Sequence, residues 1–477
     1  MSAALSGAPH KAGSLHGALT TARFGRLFPN LPPCSVSDED IRVWAAEMVA
    51  ARAEENPTLP AGYTYFAQFV VHDLTFDPRP LTEPRALESS PLNVRTPRFD
   101  LDSVYASGPL AAPHLYDQTR YGELLGGVAQ RGVLSDLPRN SQGVALVGDP
   151  RNDENLIVSQ LHAAFLRFHN QVLRRTRVEH PELSPDDAFH WARRSVLRCY
   201  HWILLHDLLP RIAGIETVER LLPPGAGRAI DRYRPRLFDL DDRPFVPLEV
   251  SGAALRFGHA MVRPSYLLNA DLERRIGAVP LFAPAGRDLR GGRPCPQAAT
   301  IDWSYFCDGL GREPQKALRI GLHLAAPLAQ LPDQIPANLA VRNLERGLCY
   351  ALPCGQAVAE RLGVRPIREG EADPLWLYVL REAETLADGC RLGPVGATLV
   401  AATFLDLLVK DEKSYVNALP QWRPPGGRLQ LSGIVGAAAP GMAAGQEGPS
   451  YRQLRPYIED RSVGRVELSA ASLDPGR

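Results

Sequence analysis

Apolar residues recur along this chain mostly at helical spacing. Ile41, Trp44, Ala45, Met48 and Val49 follow the one-sided period of a helix and predict one beginning near Asp38. A second helix is predicted over residues 65–74. From Glu154 to about Val178, the residues Ile157, Leu161, Ala164, Phe165, Phe168 and Val172 form a single stripe. Asp186 to Ile212 repeats the pattern with Trp191, Val196, Tyr200, Ile203 and Leu208. Shorter helices are predicted at 248–263, 315–323, 354–362, 373–386 and 394–410. Pro394 suits the first turn of the last, because its fixed φ is already helical. Residues 75–113 are rich in proline and aspartate and read as a long ordered loop. Period-two alternation is nowhere sustained, and no repeat or low-complexity block is present. The pattern predicts a mainly α protein: an N-terminal arm (1–36), one large helical domain with long loops and little β (37–425), and a C-terminal tail (426–477).

Composition narrows the function classes. The 477 residues carry 53 Lys+Arg and 53 Asp+Glu, a formal net charge of zero. That balance argues against a nucleic-acid-coating protein or one adhering to anionic membranes, since both favour a basic surface. The most apolar long stretch, Val395 to Val409, is broken by Asp406 and falls short of the roughly 20 residues that span a bilayer. Residues 1–11 lack the basic and apolar segments of a secretory signal, so the expectation is a soluble, cytoplasmic protein, with unconventional export left open. The seven scattered cysteines then read as free thiols rather than a disulfide framework, although Cys349 and Cys354 flank a turn that could bridge them. No CxxC pair suggests a cysteine zinc site.

Three segments hold side chains suited to catalysis. In residues 65–76, Gln68 and His72 are four apart and share a helical face. Such a pair can hold a water or peroxide and shuttle a proton; taken alone, the histidine equally reads as bonded to a neighbouring carbonyl. In residues 148–155, Arg151 could stabilise charge on a departing oxygen, or the acids beside it could be helix caps paired with it. In residues 255–263, Arg256 lies one turn before His259, which suits an axial iron ligand beside a propionate-binding arginine or simply a packed core histidine.

Together these segments resemble the animal-type haem peroxidases, the superfamily of myeloperoxidase and cyclooxygenase. Its Gln-x-x-x-His-Asp motif matches Gln68, His72 and Asp73. Its Asp-x-Arg-x-x-Glu-Asn block, followed by Leu-His and His-Asn, matches Asp149, Arg151, Glu154, Asn155, Leu161-His162 and His169-Asn170. Its Arg-Phe-Gly-His motif ends at His259, and residues 343–353 resemble the segment whose asparagine accepts the ring N–H of that histidine. The matches run in the family's order from about residue 60 to 410, with bacterial-type members nearest in character.

The resemblance implies a haem b enzyme that uses hydrogen peroxide to oxidise a small electron donor; the oligomeric state stays open. His72 would take and return the peroxide proton, Arg151 would stabilise the charge on the leaving oxygen, and Gln68 would hold a water or halide. His259 would ligate the haem iron with Asn343 orienting it, and Arg256 would pair a propionate. Asp73, Thr96, Asp100, Asp102 and the Arg98 carbonyl resemble the family's calcium loop, an oxygen set suited to Ca2+; a metal-free acidic loop is the alternative. His162 and His169 read as packing and hydrogen-bonding residues. Phe66, Phe69, Phe165 and Phe257 read as core or haem-pocket walls.

Departures from the family pattern sharpen the chemistry. Val71 stands where mammalian members link the haem through an aspartate, and Asn155 where myeloperoxidase has a linking methionine, so only Glu154 could carry one ester. A weaker oxidant than myeloperoxidase follows, one handling iodide, thiocyanate, bromide and phenols more readily than chloride. Oxygenases of the superfamily, such as fatty-acid dioxygenases, need a tyrosine three residues before the iron ligand; here that position is Arg256. A non-catalytic haem-binding scaffold would have no use for Gln68, His72, Arg151, His259 and Asn343 together.

Overall fold

The computed structural model describes residues 22–51, 53–77, 91–127, 136–225, 229–233, 244–284, 286–368, 372–418, 424 and 428–438. Two long helices form its frame. The first, Leu156–Glu179, starts at Asn155, whose side chain accepts from Ile157 N and Val158 N at 3.0 and 2.9 Å. Capping of this kind satisfies amides that the first turn leaves without partners. The second, Pro185–Ile203, runs through a widened π turn at Leu204–Leu208 into Leu209–Ala213. Asp207 in that turn accepts from Tyr63 Oη at 2.6 Å and from Leu431 N at 3.0 Å, tying together three distant parts of the chain.

Packed against this frame is Gly62–Leu74, the helix that carries Gln68 and His72. Asp38–Ala50 begins with a reciprocal Ser37–Asp40 capping box. Pro394–Lys410 is buried from Val395 to Val409, and Asp406 within it is paired with Lys410 at 3.1 Å. That interior position explains an apolar run too short to be a membrane span. No helix among the described residues is long and apolar enough to cross a membrane.

Only three two-stranded antiparallel ladders occur among the described residues. One corrects an expectation: residues 315–323 are not helical. Lys316–Leu318 is a strand paired with Glu55–Pro60. Lying between Pro314 and Gly321, the segment is too short to sustain its own helix, and the neighbouring strand supplies its backbone partners. Conversely, Leu339–Cys349 is a helix that periodicity did not single out, capped by Asn338. The stretch 248–263 divides into Leu248–Gly252 and a 3-10 helix, Ala254–Met261. Within 75–113, the described residues form a loop with one short helix, Asp102–Tyr105; residues 78–90 lie outside the described set.

A second correction concerns the cysteines. Cys34 and Cys354 form a disulfide, so Cys354 is not bridged to Cys349. Cys34 N donates to Leu352 O at 2.8 Å and Pro33 bridges Pro353, so local backbone pairing aligns two segments 320 residues apart. The described part of the arm packs on the domain through buried Phe24 and Phe28, and the Glu249 carboxylate accepts from Leu27 N and Phe28 N. From the tail region, Leu431–Ala437 packs on Leu156–Glu179, where Arg167 and Gln171 donate to Ala438 O and Ala437 O.

Candidate active site

Gln68 and His72 share one face of the Gly62–Leu74 helix, and both line a cavity of about 890 Å³. Phe66 and Phe69 on the same helix are fully buried, with Phe69 stacked on Phe165 at 4.8 Å. Phe257 is buried too, so all four expected aromatics belong to the core.

A short 3-10 turn, Pro150–Asp153, brings Arg151 to the same cavity. Asp149 caps the turn and holds the guanidinium with two bonds, from Nε at 3.0 Å and from Nη2 at 2.7 Å. Burial disfavours the Asp149 carboxylate, but the bonds and charge of Arg151 outweigh it and keep its pKa below the usual value. Nη2 also donates to His72 O at 3.1 Å. Gly148 lets this turn sit close to its neighbour: a Cβ there would lie 2.5 Å from Asp102 O.

His72 Nδ1 lies 2.8 Å from Asn152 Oδ1, inside the protein. Burial and then the Arg151 charge push its pKa down to about 3, so the ring is neutral. Glu154 Oε1 is 3.9 Å from His72 Nε2 and also receives the Gln68 amide. Burial raises Glu154 to about 7 although its carboxylate opens on the cavity. Asn155, the cap of the long helix, donates to Gln68 Oε1 at 3.4 Å. Val71 also lines the cavity.

The Ala254–Met261 turn contributes to the same cavity. Leu255, Arg256, Gly258, His259 and Val262 line it. A Cβ built on Gly258 meets no atom within 4 Å, which leaves a flat open approach beside His259. Burial and then Arg256 lower His259 to about 3, giving a neutral imidazole. Its Nδ1 is 2.8 Å from Asn343 Nδ2, while Arg256 Nη1 donates to Asn343 Oδ1 at 3.1 Å. The pairing expected from sequence is present, but the amide faces the other way: a guanidinium can only donate and therefore takes Oδ1. Trp376 Nε1 donates to Arg256 O at 3.2 Å and steadies the turn.

Beside this cavity, carboxylate oxygens of Asp73, Asp100 and Asp102 lie within 4.8 Å of one another. Asp73 Oδ2 accepts from Leu101 N and Tyr200 Oη, but the buried Oδ1 has no hydrogen-bond partner among the described residues. Thr96 Oγ1 donates to Asp100, and Arg95 Nη1 to Asp102 at 3.1 Å. Burial, with repulsion between the carboxylates, raises all three acids, Asp102 to about 6. Three acids forced upward around an orphaned oxygen fit a hard cation. Arg98 sits exposed on the same loop.

Two histidines outside the cavity are hydrogen-bonded. His169 lies between Tyr105 Oη at 3.1 Å and Gly122 O at 3.0 Å. His162 Nδ1 meets Asn152 Nδ2 at 3.0 Å. Asn152 is the site residue that sequence reasoning did not single out; it lies inside the arginine block, but nothing local indicates that it faces His72.

Residues 82–283, which include Arg151, Glu154, Arg256 and His259, match a known family model, Animal haem peroxidase. Over that stretch the chain resembles the animal haem peroxidases. It is 27% identical over 286 residues to the eosinophil peroxidase of Mus musculus, covering 54% of this chain and 38% of that protein. Against the thyroid peroxidase of Homo sapiens it is 31% identical over 299 residues, or 55% of this chain and 30% of that one. The chain thus spans less than two fifths of the curated relatives it matches. Peroxidase A from Dictyostelium discoideum shares the fold with a TM-score of 0.63 at 18% identity, covering 83% of this chain and 90% of that one. A fatty acid alpha-dioxygenase from Arabidopsis thaliana also shares it, with a TM-score of 0.57 at 15% identity over 84% and 73%.

Proposed function

We propose that this protein is a haem peroxidase that reduces hydrogen peroxide and oxidises small donors such as iodide, thiocyanate, bromide or phenols. The observation that carries the reading is one cavity lined by a neutral histidine, an anchored arginine and a second neutral histidine. The residues fit haem b: the space is large, Gly258 opens the face beside His259, and Arg256 and Asn343 back that histidine. Bound there, haem would supply the iron and store the two oxidising equivalents delivered by peroxide.

The protein's own share is proton handling and orientation. His72, neutral and enclosed, takes the peroxide proton and later returns it to the departing oxygen. Arg151, held along one edge by two bonds to Asp149, offers positive charge to that oxygen without reorganising. Iron ligation by His259 Nε2 requires the proton on Nδ1 and hence Oδ1 of Asn343 facing the ring. Arg256, which holds Oδ1 here, would free it by pairing with a haem propionate instead. Asp73, Thr96, Asp100, Asp102 and the Arg98 carbonyl would hold Ca2+ beside His72. Arg256 occupies the place where the dioxygenase alternative calls for tyrosine. The Cys34–Cys354 bridge favours an oxidising compartment over the expected cytoplasm, where thiols stay reduced.

The test is an optical spectrum of haem-supplied protein before and after one equivalent of hydrogen peroxide. A Soret band that shifts rapidly and returns with iodide or a phenol is the expected result. A band indifferent to peroxide would overturn the peroxidase reading and leave haem binding; no band would overturn both.

A further inference from the structure

Resting on the peroxidase reading, we propose that Asn152, anchored by His162, is a positioning residue that holds His72 with its proton on Nδ1 and its lone pair on Nε2. Three side chains stand in a row leading away from the cavity. His72 Nδ1 is 2.8 Å from Asn152 Oδ1, and Asn152 Nδ2 is 3.0 Å from His162 Nδ1. Asn152 and His162 are fully enclosed, and His72 is 6% exposed.

The chemistry of the amide gives this row a direction. A carbonyl oxygen only accepts, so Oδ1 beside His72 selects the ring form with a proton on Nδ1. The remaining nitrogen, Nε2, is then the bare one, and only a bare nitrogen can receive a proton from peroxide. With the amide turned over, Nδ2 would donate to Nδ1, the proton would sit on Nε2, and His72 could not begin the reaction. The second arm of the amide is occupied as well: His162 accepts from it, which keeps the group from swinging away from His72. His162 Nε2 has no hydrogen-bond partner among the described residues, and the Phe69 ring stands nearly perpendicular at 6.0 Å. His162 therefore ends the row instead of passing a proton onward.

The row also joins three elements. His72 lies on Gly62–Leu74, Asn152 on Pro150–Asp153 and His162 on Leu156–Glu179. The turn that presents Arg151 to the cavity thus also orients the histidine with which it acts. In metal sites, partners one bond removed from the reacting group typically set affinity or rate by about 10- to 100-fold.

The experiment uses the full-length haem-loaded protein with Asn152→Leu and Asn152→Asp, both close to asparagine in size. It adds the 15N histidine spectrum of the unaltered protein in its diamagnetic ferrous carbon monoxide form. The expected spectrum shows His72 protonated at Nδ1 and bare at Nε2. Asn152→Leu is expected to keep the Soret band and react with peroxide about 10- to 100-fold more slowly. Asn152→Asp, which accepts the same N–H, recovers most of the rate, as a purely space-filling role would not allow. An unaltered protein with the His72 proton on Nε2 overturns the proposal, even if the variants fail to fold. So does an Asn152→Leu enzyme as fast as the original. Absence of any peroxide reaction in the unaltered protein would instead overturn the peroxidase reading on which this rests.

Discussion

His72 and His259 are both neutral, and each leans on an asparagine that presents a different atom to it. The difference follows from what else each amide must satisfy: His162 on one side, Arg256 on the other. Removing the proton carrier isolates its share. His72→Ala is expected to retain the Soret band while stopped-flow mixing with peroxide shows a rate lower by roughly 10²- to 10⁴-fold, the usual scale for one acid–base group. A rate close to the unaltered protein's would assign proton transfer elsewhere. Glu154 supports a second test, because Val71 and Asn155 remove the other covalent routes to haem. After turnover, part of the haem should resist extraction by acidified solvent in the unaltered protein and none in Glu154→Gln. Complete extraction from both would mean that no ester forms.

Among the elements, those with a long one-sided stripe were the most legible. Leu156–Glu179 falls within two residues of its sequence-predicted span because six apolar positions and an asparagine cap all indicate the same helix. Lys316–Leu318 was misread because three residues carry too little periodicity to outweigh a neighbouring strand. Leu339–Cys349 was missed because its core contacts come from few positions, chiefly Ala340, Asn343 and Leu344. Asn155 joins stability to the site at this scale, as both the cap of the long helix and a donor to Gln68. Asn155→Ala should cost about 1 kcal/mol in denaturant unfolding and also loosen Gln68, changing donor KM more than Soret intensity. Unchanged unfolding would show that water replaces the cap at no cost.

For the whole molecule, the acidic cluster ties stability to pH and to a cation. Asp73, Asp100 and Asp102 have folded-state pKa values raised above their unfolded ones, so the metal-free folded protein binds more protons than the unfolded chain. The cluster's own contribution to stability therefore falls as pH rises from the unfolded value near 4 through about 6 for Asp102. Buried His72 and His259, held neutral, act in the opposite direction over the same range, so the cluster is read from the calcium response: added calcium should raise the melting temperature of chelated protein more at pH 7.5 than at pH 5.5. A melting temperature indifferent to calcium at both pH values would remove the metal from this loop.

What the residues determined unaided was local and repetitive: the helical stripes, the caps, and short motifs whose spacing places Gln68 with His72 and Arg256 with His259. Those follow from the helical period and need no knowledge of distant segments. Only the tertiary structure decided the pairings: Cys34 with Cys354 rather than Cys349, Asn152 facing His72, and an orphaned Asp73 oxygen among Asp100 and Asp102. Each joins residues from 27 to 320 positions apart, a separation over which no periodicity persists. Burial selects such pairs, because an enclosed polar atom must be matched by whatever the folded chain brings beside it.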